Sequence, residues 1–283
     1  MRPRLNRRSF LKLSAAGLAG WGLAPAQTLP PPPGLSPRLA ATLPIPFPHH
    51  YVADPEILLT RLPAEVDLLL VPAYIAAGLI QRGRLLPLAG PPGRAHDPEG
   101  AYTLPYRCAA SAVLHPAGRA PADPWQPALA WPSFGRLMLG AALQRRGHSP
   151  NDAHAGHVAL AGQDLAALRP SVLADPLAAL RAGAVPAALL PVPLLSDGTF
   201  GLDEDLVAAV PPWGGVLIEY DWVLPTSAPD PALALAFLKT LPPALPPNAG
   251  PRLVPLAPLP ERTQAQYAHL WTTLTRAQRE ARA

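Results

Sequence analysis

The chain has 283 residues, 49% of them hydrophobic and only 15% charged, which excludes disorder, a state that needs low hydrophobicity and high charge. Its net charge of +4 gives no footing for nucleic-acid binding: Arg2, Arg4, Arg7, Arg8 and Lys12 fall within the first 26 residues, which hold no acid, and the remainder sits near −1. Cys108 is the single cysteine, which excludes an internal disulfide and a cysteine-rich metal centre.

Residues 1–26 read as an export leader. A basic segment, Asn6 to Lys12 (NRRSFLK), precedes a short apolar run from Leu11 to Leu23 and the small-x-small triplet Ala24-Pro25-Ala26, which predicts a cut before Gln27. The paired Arg7-Arg8 point to the twin-arginine route, which carries folded proteins across the membrane, and so to an extracytoplasmic location. The run is too short and too rich in Gly and Ala for a membrane span, which needs roughly 20 apolar residues. Cys108 lies far from the end of the leader, which argues against a lipid anchor there.

About 257 residues follow, enough for two lobes with separate cores. The 42 prolines, about three times ordinary usage, mark stiff connectors such as Thr28 to Gly34 and Leu241 to Pro247. Ser36 to Leu43 is predicted helical and Ile45 to Val52 extended. Asp54-Pro55-Glu56 opens a helix to Leu62, with Asp as N-cap and proline in the first turn. Glu65 to Val71 is an apolar run of strand length, read as a buried parallel strand. Tyr74 to Arg82 is helical with Gly83 as its stop, and Leu85 to Leu88 is extended. Tyr102 to Tyr106 and Ala109 to Val113 are extended; Phe134 to Arg146, Gln163 to Arg169 and Pro176 to Ala182 are helical. Val185 to Val192 is a buried strand or loop, Val216 to Leu224 is strand-like, and helices follow over Asp230 to Leu241 and Thr263 to Arg282. Alternating strands and helices predict an α/β fold with a mainly parallel sheet.

Four segments, in this order, resemble the spermidine/putrescine-binding proteins of ABC transporters. They are Asp67 to Pro72 (DLLLVP) with Leu79 to Leu88 (LIQRGRLLPL); Tyr102 to Tyr106 (YTLPY); Leu137 to Asn151 (LMLGAALQRRGHSPN); and Trp213 to Pro225 (WGGVLIEYDWVLP) with the helix that follows it. The resemblance implies a two-lobe periplasmic-binding-protein-like α/β fold, with crossing hinge strands and a ligand cleft between the lobes. Residues 27–105 and 225–283 would form lobe 1, and residues 106–224 lobe 2. It further implies a monomeric, non-enzymatic receptor without cofactor that hands a small solute, a polyamine in this family, to a membrane permease.

The polyamine site the resemblance implies pairs carboxylates with each ammonium and covers the methylenes with aromatic faces. This chain departs from it. Thr28 to Pro33 offers neither strand nor acid, the expected acidic pair meets Ser133-Phe134 and Leu137, and Pro191 replaces a tryptophan. Tyr220 replaces the deepest carboxylate, flanked by Glu219 and Asp221. Neighbours in a strand face opposite ways, so either Tyr220 lines the site or a one-residue bulge brings in Glu219 or Asp221. Tyr74, just after a strand end, and Tyr106 and Ser111, on or beside the crossing strand, complete the expected ligand residues. Trp222 shares the face of Tyr220 and is read as core, while Trp125 and Trp131 are read as packing a lobe surface.

Other chemistries find less support. His154 and His157 could come together in a turn, but no third metal ligand is evident locally. No G-x-S-x-G surrounds Ser111, Ser133 or Ser149, and Cys108 has no adjacent base. Two alternatives stay open: a divergent relative that binds another solute or acts without transport, and an iron-type binder that would bring Tyr220 and a second tyrosine together.

Overall fold

The computed structural model describes residues 16–19, 50–52, 55–62, 66–118, 125–126, 129–169, 171–173, 175–194, 200, 205–239, 241 and 252–280. The Arg7-Arg8 pair, the Thr28 to Gly34 connector and the helix expected over Ser36 to Leu43 lie outside them. The elements in chain order are β1 (Ala16–Ala19), β2 (His50–Val52), a 3-10 turn (Pro55–Leu59), β3 (Leu69–Pro72), α1 (Ala73–Gln81), β4 (Leu85–Leu86) and β5 (Thr103–Pro116). Next come β6 (Ala130–Pro132), α2 (Gly135–Arg145), α3 (Ala155–Leu168), β7 (Ser171–Leu173), α4 (Pro176–Arg181), β8 (Ala188–Leu194) and β9 (Leu206–Ala209). β10 (Gly215–Pro225), α5 (Pro231–Leu238), β11 (Leu253–Pro255) and α6 (Glu261–Glu280) complete the chain. Two compact units result: unit 1 is Met1–Arg107 with Glu219–Pro246, and unit 2 is Cys108–Ile218 with Pro247–Ala283.

In unit 1, β10 runs antiparallel to β3, with Tyr220 opposite Pro72 and Val223 opposite Leu69, and then to β4. The apolar run Leu68 to Val71 is buried, as such a run requires, but its neighbour runs the opposite way. An apolar run dictates burial on both faces and leaves strand direction open. The 3-10 turn replaces the helix expected to Leu62. Gly83 takes φ +62° after α1, the left-handed stop that glycine supplies without steric cost. The buried Asp67 carboxylate accepts the Asp230 N–H at 2.5 Å and so ties the start of α5 to β3. Ala16–Ala19, inside the expected leader, forms a strand parallel to His50–Val52.

In unit 2, β5 is flanked by β8 and β9, both antiparallel; β6 joins β8 and β7 in parallel, and β11 lies parallel to β10. The sheet is therefore mixed, because β8 and β9 each return alongside the 14-residue β5. Its main core gathers Trp131, Met138, Leu139, Leu143, Val158 and Tyr267. Trp131 is fully buried there, contrary to its surface reading, and Trp125 packs edge-on against it with centroids 5.5 Å apart. The segment 247–283 belongs to unit 2, whereas the sequence placed it with lobe 1. The reason is the apolar stripe of α6: Tyr267, Leu270, Trp271 and Leu274 pack into the core formed by α2 and α3. Among the described residues, no helix is long and apolar enough to cross a membrane.

Candidate functional site

The chemistry of unit 1 gathers on β10 and the start of β5. Strand alternation divides β10 as expected, since Tyr220 to Val223 hold regular register against β3 and no bulge turns Glu219 or Asp221 toward the face of Tyr220. On the acidic face, Asp221 is fully buried, with Oδ1 2.8 Å from Arg94 Nη2 and Oδ2 2.8 Å from His96 Nε2. Glu219 Oε1 lies 3.1 Å from Arg94 Nη1, so one guanidinium bridges both acids. A buried carboxylate needs such a partner, because an unmatched charge in the interior is costly.

The loop carrying Arg94 and His96 is held by a second acid. Asp97 accepts the backbone N–H groups of Ala101 at 3.0 Å, Tyr102 at 2.8 Å and Thr103 at 2.8 Å, and the Thr103 hydroxyl at 2.9 Å. Burial alone would push its carboxyl up, but these donors outweigh burial and hold it below the usual aspartate range. Gly90 and Gly100 let the two ends of the loop approach: Gly90 N–H donates to Gly100 O at 2.6 Å. A Cβ on Gly100 would sit 2.5 Å from the carbonyl oxygens of Gly90 and Pro91.

The other group is aromatic. Arg107 places its guanidinium carbon 5.5 Å from the Tyr106 ring and 5.7 Å from the Tyr220 ring, within cation–π range. Trp222 tilts against Tyr106 with centroids 5.3 Å apart, and meets Phe237 of α5 edge-on at 6.2 Å. Trp222 therefore both packs the core and stands beside Tyr106. Burial pushes the Tyr106 hydroxyl up, with Arg107 opposing.

Two more of the expected ligand residues are buried. Tyr74 is buried in the first turn of α1, and Ser111, in unit 2, accepts the Val216 N–H at 2.7 Å. A buried serine that satisfies a strand amide serves the sheet. Arg94, His96 and Arg107 went unnoticed in the sequence. For Arg107 a signal existed, a lone cation beside Tyr106 in a strand otherwise without charge over Thr103 to Pro116.

Unit 2 supplies a metal-competent cluster where the sequence offered no third ligand. His148, Asp152 and His157 bring one ligand atom each within 4.8 Å of one another. His157 Nδ1 lies 2.8 Å and His148 Nδ1 3.8 Å from the same Asp152 oxygen, and the two rings stack at 3.8 Å. Asp152 also accepts the His154 N–H at 2.7 Å, an Asx turn that leads the chain into α3. Burial opposes, but the His154 N–H and His157 hold its carboxyl below the usual range.

No protein-family profile and no curated protein sequence matches the chain. Solved structures do. A spermidine/putrescine ABC transporter protein from Listeria monocytogenes matches with a TM-score of 0.65 at 16% identity, over 80% of this chain and 90% of its own. The fold is that of periplasmic solute-binding proteins. A spermidine/putrescine ABC transporter substrate-binding protein from Streptococcus pneumoniae gives a TM-score of 0.55 at 15% identity, over 81% of this chain and 90% of that one. A periplasmic thiamin-binding protein gives 0.54 at 15% identity, over 94% and 95%. Proteins named for quite different solutes thus share this solute-binding fold, and the fold leaves the solute open.

Proposed function

We propose that the chain is the extracytoplasmic solute-binding component of an ABC importer, exported by the twin-arginine route, that delivers a small solute to a membrane permease. The observation that carries this reading is the likeness of fold over four fifths of the chain. The role needs binding and release, with no catalytic group. Its candidate ligand contacts in unit 1 are Tyr106, Arg107, Tyr220 and Trp222.

A polyamine is the second reading, favoured by the two acids on β10. It asks an ammonium to compete with Arg94 and His96 for carboxylates already matched at 2.8 Å. The iron alternative asks Tyr106 and Tyr220 to ionise and converge on a cation, yet Arg107 stands over both rings and burial raises the Tyr106 hydroxyl.

The test is a thermal-shift screen of the full chain against polyamines, amino acids, sugars, carboxylates, phosphate esters, vitamins and metal ions. A solute at 100 times its Kd adds about 2.7 kcal/mol of stability. Stabilisation by one class of solute is the expected result, and a flat response to every class would overturn the reading.

A further inference from the structure

We infer that Arg107 is the anchor for an anionic group on the ligand, a carboxylate or a phosphate, with Tyr106, Tyr220 and Trp222 receiving the apolar part beside it. The inference rests on the solute-binding reading above and names the class of solute.

Charge balance is the first argument. Glu219 and Asp221 share the one guanidinium of Arg94, and His96 Nε2 lies 2.8 Å from the second Asp221 oxygen. Among the described residues, Arg107 has no carboxylate partner, and its Nε is buried without an acceptor. The Tyr106 and Tyr220 rings attract the guanidinium through their faces, but they do not satisfy its N–H groups, which lie in the guanidinium plane. That planar fork is the geometry that takes a carboxylate or phosphate through two parallel hydrogen bonds.

A second donor stands nearby. Trp222 is only 4% exposed, and its buried indole Nε1 has no acceptor among the described residues, although such groups are normally paired. Its ring lies 5.3 Å from Tyr106, the ring that Arg107 also faces. One cation and one neutral donor, each with unused N–H capacity beside the same ring, call for a ligand rich in acceptors. A polyamine carries only donors and would meet Arg107 as a like charge.

The decisive experiment sorts probes by charge at matched size, using the full chain. Glutarate is set against putrescine, which has similar reach and opposite charge, and phenyl phosphate against phenol. Inorganic phosphate and 3-phenylpropionate separate phosphate from carboxylate recognition. Calorimetry on the probes that stabilise the protein then compares wild type with Arg107→Gln and Arg107→Lys. We expect at least one anionic probe to bind, with affinity falling roughly 10- to 100-fold in Arg107→Gln, as for loss of a hydrogen bond to a charged group, and less in Arg107→Lys. The paired probes on wild type carry the test should Arg107→Gln fail to fold. Binding of putrescine or a neutral solute with no anionic binder would overturn the inference and leave the solute-binding reading standing. An anionic binder indifferent to Arg107→Gln would also overturn it. Silence from every solute would remove both.

Discussion

Arg94→Gln tests whether the acids of β10 are structural. It removes the guanidinium that lies 2.8 Å from the fully buried Asp221, while His96 stays 2.8 Å from the other carboxylate oxygen. Breaking a buried pair costs about 3–5 kcal/mol, because the remaining charge loses its compensation. The retained His96 and the partial exposure of Arg94 lower the expectation to about 2–3 kcal/mol, or roughly 4–12 °C in Tm for a chain of this size. Glu219→Gln removes a partner that is 32% exposed and should stay within about 0.5 kcal/mol of wild type. Urea unfolding followed by tryptophan fluorescence at pH 7, repeated on Asp221→Asn and on Arg94→Gln/Asp221→Asn, closes a double-mutant cycle with an expected coupling of at least about 1 kcal/mol. An Arg94→Gln protein within about 0.5 kcal/mol of wild type, or losses that simply add, would refute the argument.

Asp97 sits below the usual carboxylate range in the folded chain, so its contribution is fully present above the unfolded value and is lost as pH falls through the folded one. Asp97→Asn should therefore be less stable at pH 7 and lose less of its remaining stability below about pH 4, as read by urea midpoints across pH. Gly100→Ala, at φ +66° and with a Cβ 2.5 Å from two carbonyl oxygens, should cost more than the roughly 1 kcal/mol of an ordinary glycine replacement and should lower the Tm. Trp271→Ala opens the core beneath α6 and should cost about 3–5 kcal/mol by chemical denaturation. Cys108, 6% exposed, should react with a thiol reagent only at the rate of unfolding; fast labelling of the native protein would contradict its burial.

The elements that were legible are those whose signals are local. Phe134 to Arg146 and its glycine stop give α2, with Gly147 at φ +81°, and Asp175 caps α4 through its side chain as its residue type favours. The direction of β3 was not legible, since it depends on which strand comes to lie beside it. The home of α6 was not legible either, because its stripe matches any apolar groove until the helices of unit 2 supply one. At the site, alternation correctly set Tyr220 against Glu219 and Asp221, but their partner Arg94 lies 125 residues before Glu219 in a loop with no periodicity to read. Asp152 was missed for the opposite reason: it sits among the very histidines that drew attention, yet only the turn into α3 aims its carboxylate at two of them.

A family motif is transferable only where the charges around it transfer too. In β10 the acids survive in the sequence, one residue to either side of where the resemblance expects a ligand carboxylate, and a reading of residue types alone would hand them to an ammonium. The fold instead brings in Arg94 and His96 from a loop fixed by Asp97, so that each acid already has a partner within 3.1 Å. Arg107 of β5, by contrast, has no carboxylate partner among the described residues. Electrostatic complementarity acts through the charge that remains after internal pairing, so the strand with the more conspicuous acids is the one with less to offer a cation.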